Sequence, residues 1–239
     1  MIPLGRVCEL VRYPVKSMAG IAAERAALGW HGLEGDRRHA FRRIGNESDF
    51  PWLQASRLPE LLLYHPLEST QVRTPAGRHL DLRGEELQSE IAERCGSAVE
   101  LMHLRNGIFD DGTVSVIALG TIAAIGGEAG MVLDRRRFRA NIVLETQDTE
   151  PFLEDAWVGG ALVFGDGEDR VVVSVTKRDE RCMMINLDPD TAEQDGRALK
   201  AVVRLNANHA GVYGAVVQPG TLHVGQAVSL VPRWPMGSV

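Results

Sequence analysis

Two segments of the chain carry residue types from which a metal and anion site can be built. The first is Arg181-Cys182-Met183-Met184-Ile185-Asn186-Leu187-Asp188-Pro189-Asp190-Thr191. It offers one thiol with Arg181 beside it and Arg178 a turn away, and nearby cations favour the thiolate. A thiolate is a natural protein ligand for a soft or high-valent metal. The alternative for Cys182 is a small buried apolar side chain. Pro189 cannot continue a central strand, which places Cys182 near a strand end that feeds a loop. The second segment, Asp134-Arg135-Arg136-Arg137-Phe138-Arg139-Ala140-Asn141-Ile142, sets four arginines into five positions of a chain whose net charge is -6.

An alternating reading of that run puts Arg137 and Arg139 on one face of an extended segment and Phe138 on the other. Two guanidiniums on one face form a bidentate clamp for phosphate. Asn141 shares the face and can both donate and accept. The competing reading is a solvated loop whose arginines have their own acidic partners. A third group is Tyr13-Pro14-Val15-Lys16-Ser17, with Gly35-Asp36-Arg37-Arg38 downstream. Pro14 closes a strand, leaving Lys16 as a point charge, Ser17 as a hydroxyl donor and Arg37 as a fork; otherwise Lys16 lies in solvent. Asp110-Asp111-Gly112-Thr113 reads as a turn whose carboxylates, Asp111 included, reach either a ligand or water.

Other chemistries lack their residues. The seven histidines show no HExxH or HxH spacing, and no GxSxG, P-loop or GxGxxG occurs. Three cysteines, Cys8, Cys95 and Cys182, without a CxxC pair give neither a disulfide framework nor a zinc ribbon nor a ferredoxin-type cluster. The odd count fits a reducing cytoplasm. The first residues lack the apolar region of a signal peptide, and no run of 18 apolar residues exists, so no membrane partner is expected. The negative net charge argues against nucleic acid as a partner. The chain has 239 residues, 44% hydrophobic and 24% charged, enough for one large or two small soluble domains.

Short β-branched runs alternate with Gly/Pro turns, which predicts a mainly β (α+β), barrel-like protein with a few short helices. Strands are expected at 7–13, 39–44, 99–104, 114–118, 141–145 and 171–176, and a hairpin around Pro75-Ala76-Gly77. Residues 85–94 read as a helix closed by Gly96. A short helix from Thr121 is expected to break at Gly126-Gly127. Asp195 is a candidate N-cap for a helix over 197–205 with Leu199, Val202 and Val203 inward. Residues 212–231 read as a three-stranded meander. A boundary falls near residues 95–110, dividing the chain into 1–100 and 101–239.

Taken in order, Tyr-Pro-Val-Lys-Ser, Gly-Leu-x-Gly-Asp-Arg, Arg-x-Phe-Arg-Ala-Asn-Ile, Phe-Leu-Glu-Asp-x-Trp, Arg-Cys-x5-Asp-Pro-Asp-Thr and Pro-Gly-Thr-Leu-x-Val-Gly make the chain resemble MOSC-domain proteins. Within these it resembles the group with an N-terminal β-barrel half, typified by the mitochondrial amidoxime-reducing component and its bacterial counterparts. The resemblance implies a molybdenum–pterin (molybdopterin) cofactor whose metal is held by one cysteine, here Cys182. It implies cofactor contacts from Lys16, Ser17, Arg37, Arg139 and Asn141. The implied reaction is reduction of small N-hydroxylated substrates: amidoximes, hydroxylamines and hydroxylaminopurines. Electrons would come from a separate donor of the flavin reductase, ferredoxin or cytochrome b5 type, and pyridoxal phosphate is not expected. Two other readings stay open: a carrier of sulfur or of the molybdenum cofactor, and a binding module in which Cys182 is only buried.

Overall fold

A computed structural model describes residues 1–46, 50–68 and 70–233. The first part of the chain forms Ile2–Arg12 (β1), Ile21–Ala23 (β2), Arg25–Gly29 (β3), Gly32–Leu33 (β4), His39–Arg43 (β5), His65–Pro66 (β6), Gln71–Arg73 (β7), His79–Asp81 (β8), Glu85–Cys95 (α1) and Val99–His103 (β9). The rest forms Val114–Ala118 (β10), Leu119–Ala129 (α2), Ile142–Thr146 (β11), Ala161–Phe164 (β12), Val171–Glu180 (β13), Arg197–Asn206 (α3), His209–Gln218 (β14), Gly220–His223 (β15) and Ala227–Val231 (β16).

Seven strands close into a barrel in the order β1-β11-β10-β14-β13-β12-β16, and back to β1. An odd ring cannot alternate direction throughout, so one neighbouring pair must run parallel. That pair is β10 and β11. Parallel neighbours need a long crossover, and here it comprises α2 and the arginine-rich segment after it. The topology therefore carries those arginines across one end of the barrel. The expectation of a β-barrel is borne out.

Alternation fills the barrel. Val171, Val173 and Val175 of β13 join Val7, Leu10, Val116, Ile142, Leu144 and Phe164 in one cluster, each at most 2% exposed. Burying each of these side chains stabilises the fold by roughly 1.5–3 kcal/mol before entropy is counted. α2 and α3 cover the outside, where Ile122, Ile125, Ala198 and Val202 meet Ile117, Val143 and Ala210. A separate cluster built on Val15, Met18, Phe41, Leu61, Tyr64, Leu87 and Ile91 organises the region between β4 and β10, and it also takes Leu187.

Several sequence expectations need correction. α2 does not break at Gly126-Gly127; it runs to Ala129 and closes on Gly130 in the left-handed region. A Cβ on Gly126 would sit 2.9 Å from the Met131 carbonyl oxygen, so the residue serves close packing within a continuing helix. Residues 212–231 are not a meander. β14 pairs with β10 and β13, β15 with β3, and β16 with β12 and β1. In α3 the cap position is Gly196, and Asp195 instead accepts from the Arg197 amide at 3.1 Å; Val203 is 51% exposed.

Ala118 at the start of α2 has no side chain able to cap the helix, and distant Glu154 substitutes for it. The buried Glu154 carboxylate accepts from the Ala118 amide at 2.8 Å and from the Thr121 hydroxyl at 2.7 Å. Glu154→Ala would leave both donors buried and unpaired, an expected loss of about 2 kcal/mol. Thermal unfolding of this variant should show a midpoint lower by about 4–8 °C, and an unchanged midpoint would refute the capping role.

Candidate functional site

One end of the barrel opens into a cavity of about 310 Å³, at the lower end of the size range of small-molecule sites. It brings together Lys16, Ser17, Arg37, Asp111, Arg137, Arg139 and Cys182. These residues come from five separate stretches of chain. Asn141 is the one sequence-predicted residue that does not line the wall. Its Oδ1 accepts from the Ser115 amide and hydroxyl and from Arg37 Nη1, while its Nδ2 donates to the Val11 carbonyl. With its amide consumed by the protein and no surface exposed, Asn141 positions Arg37 rather than meeting a ligand edge.

Cys182 follows the end of β13 as expected, and it is exposed. It stands at the N-cap position of the 3-10 turn Met183–Asn186, and its thiol makes no capping hydrogen bond. Arg178 does not support it: that side chain turns away to Asp155 and Asn206. Arg181 stays at the site. Its guanidinium donates to the Ala210 and Phe138 carbonyls at 2.7 and 2.8 Å and pairs with Asp179 at 2.9 Å. Gly211 makes room for it. At φ +79°, a Cβ there would lie 2.7 Å from the Val116 carbonyl oxygen and 3.1 Å from Arg181 Nη2.

The arginine run is not an extended strand. Asp134 accepts from the Arg136 amide and starts a 3-10 turn over Arg135–Phe138, and Arg139 then adopts φ 51°. The reading of a solvated loop with its own acidic partners describes Arg135 and Arg136. Arg135 pairs with Glu9, and Arg136 with Asp134 and Asp190, on the surface. Arg137 and Arg139 reach the cavity by the turn geometry. The Asp188-Pro189-Asp190-Thr191 loop explains its proximity to the arginines: Asp188 Oδ1 holds the loop through the Asp190 and Thr191 amides, and Asp188 Oδ2 accepts from Arg137 at 2.8 Å.

Arg37 is a buried hub. It pairs with Asp36 at 2.6 Å and Asp110 at 2.7 Å, donates to the Arg139 carbonyl, and stacks over Tyr13. Burial works against its charge, but Asp36 and Asp110 outweigh burial and hold its pKa above the ordinary value. Burial likewise opposes the charge of Asp110, yet Arg37 and Lys16 keep its carboxyl below the usual range. Sequence reading left Asp110 to either a ligand or water; the structure makes it a partner of Arg37.

Lys16 and Arg139 are different. Among the described residues neither has a carboxylate within ion-pair distance. Lys16 donates to the Phe109 carbonyl at 2.8 Å, and burial pushes its pKa down. Arg139 donates to the Met18 carbonyl, lies over Tyr13 at 4.2 Å and keeps a buried Nη2 without a partner. Burial, with Arg37 adding to it, lowers its pKa to about 10. Arg137 also keeps an unpartnered Nε, and the Ser17 hydroxyl takes no partner from the described residues.

The backbone is strained at the same place. Seven described non-glycine residues have left-handed φ, and three of them, Ser17, Arg37 and Arg139, line this one cavity. Such conformations cost of order 1–3 kcal/mol each and persist where the surroundings over-determine them. No group of three or more His, Cys, Asp or Glu side chains suited to a metal ion occurs among the described residues. A metal that arrives with ligands of its own needs only one from the protein.

Fold and site together define a closed-barrel protein with an anion-binding, thiol-bearing cavity at one end. The MOSC domain model matches residues 103–229, more than half of the chain, and the chain belongs to that family. The family is associated with the C-terminal and binding domains of molybdenum-cofactor sulfurases. Among solved structures, the chain is similar to the YUAD protein from Bacillus subtilis, at 14% identity over 96% of each chain with a TM-score of 0.53. It is also similar to YiiM from Geobacillus stearothermophilus, at 19% identity over 50% of this chain and 54% of that one, with a TM-score of 0.36. No curated protein matches the sequence. No helix among the described residues is long and apolar enough to cross a membrane.

Proposed function

We propose that the protein is an oxidoreductase that holds a molybdenum–pterin cofactor in this cavity and reduces N-hydroxylated compounds with electrons from a separate donor. One observation carries the reading: an exposed thiol shares a cavity with two cations, Lys16 and Arg139, that have no carboxylate within ion-pair distance among the described residues. A phosphate-bearing cofactor fits those residues, because its anionic end supplies the counter-charge that Lys16 and Arg139 lack. When bound, such a group supplies the two-electron chemistry that breaks an N–O bond.

The chain's own residues would divide the remaining work. Cys182 gives the thiolate ligand. Lys16, Arg139 and the Ser17 hydroxyl bind the phosphate. Arg37, locked by Asp36, Asp110 and Asn141, fixes the Arg139 backbone through its carbonyl. Asp111 borders the cavity where a substrate would meet a polar edge. Protein from molybdenum-replete cells, given an artificial reductant and benzamidoxime, is expected to form benzamidine. A molybdenum-loaded protein that reduces no N-hydroxy compound would contradict the reading. The family's association with cofactor sulfurases favours one alternative, a carrier, whose signature is cofactor transfer to an apo-enzyme without dependence on reductant.

A further inference from the structure

The cavity wall contains a buried carboxyl group to which the proposed function gives no task. Asp179 is 3% exposed, lies on β13 three residues before Cys182, and lines the same cavity. The β13–β14 ladder shifts register between Arg178 and Glu180, and such irregularities re-aim a side chain beside a site. One carboxyl oxygen, Oδ2, pairs with Arg181 at 2.9 Å. The other takes no hydrogen bond from the described residues.

From this geometry we infer that Asp179 is the general acid of the site, delivering a proton to the oxygen that leaves nitrogen. The inference rests on the proposed N–O reduction. That reaction balances as R–NH–OH plus two electrons and two protons giving R–NH2 and water, with the electrons from the separate donor. As the N–O bond breaks, its electron pair goes to oxygen and the Asp179 O–H supplies a proton to that oxygen, giving water; the two electrons from the donor go to nitrogen, which takes the second proton from solvent to become the amine. Solvent then returns a proton to the carboxylate.

The surroundings suit the role. Facing Asp179 are Arg181 from its own segment, Tyr213 from β14, Asp110 and Asp111 from the loop before β10, and Arg37 from the turn after β4. Burial raises its pKa to about 6; Arg181 and Arg37 offset part of this, and Asp110 and Asp111 add to it. A general acid works best when its pKa lies near the working pH. The acid form is present below that value, so kcat should fall as pH rises past the Asp179 titration.

The test compares wild type with Asp179→Asn and Asp179→Glu. Asp179→Asn is expected to lower kcat by about 100-fold or more and to flatten its pH profile. KM and molybdenum content should stay near wild type, and Asp179→Glu should restore part of both the rate and the profile. In the cofactor-free protein, carboxyl carbon NMR should show one group titrating near pH 6 that is missing from Asp179→Asn. Retention of rate and pH profile in Asp179→Asn, or an ordinary carboxylate titration in wild type, would overturn the assignment alone. A loaded wild type inactive on every N–O substrate would instead remove the functional reading, and this inference with it.

Discussion

Cys182→Ser protein is expected to fold and melt as wild type does while losing N–O reduction by roughly 1,000-fold or more. The two halves of this expectation have separate causes. Cys182 is exposed, and substitutions at such positions usually change stability by no more than about 0.5 kcal/mol. The activity loss follows because a serine hydroxyl is a harder and far less acidic ligand than a thiol. At 1.36 kcal/mol per tenfold, losing about 4 kcal/mol of transition-state stabilisation produces the stated change. Turnover of benzamidoxime with an artificial reductant measures it. A serine variant that keeps its rate would return Cys182 to the role of a small side chain near a cavity.

Arg139 and Arg37 are expected to respond in opposite ways, although both are arginines on one cavity wall. Arg139→Gln removes a cation with no carboxylate partner among the described residues, so the cofactor-free protein should lose little stability. Its cofactor should be held about 30- to 150-fold more weakly, the equivalent of roughly 2–3 kcal/mol for lost charge-assisted hydrogen bonds. Arg37→Gln breaks buried pairs with Asp36 and Asp110, and stranding such carboxylates costs about 3–5 kcal/mol of folding stability. Thermal melts and cofactor retention through gel filtration separate the two. A destabilised Arg139→Gln protein with normal retention would show that Arg139 is structural.

Much of the site was legible because its residues lie where local chain chemistry puts them. Pro14 ends β1 and leaves Lys16 and Ser17 in a turn; Pro189 keeps Cys182 at a strand end. What failed was every inference that needed a distant partner. Arg137 and Arg139 do converge, but through a 3-10 turn started by Asp134, whose capping side chain was a readable local signal given less weight than alternation. Asn141 looked like a ligand contact because Ser115, Val11 and Arg37, which consume its amide, lie far away in sequence. The C-terminal strands resembled a meander because their pairing with distant β1, β3 and β10 leaves no trace in their own residues. Asp179 sits in Lys177-Arg178-Asp179-Glu180-Arg181, which reads as a solvated charged run; its burial comes from β14 and the loop before β10.

The most direct test is molybdenum X-ray absorption on protein from molybdenum-replete cells, beside Cys182→Ser treated identically. The expected result is close to one molybdenum per chain in the wild type, with a sulfur neighbour that disappears in the variant. Absence of molybdenum, or the same sulfur environment in both proteins, would contradict the assignment of Cys182 as the metal's protein ligand.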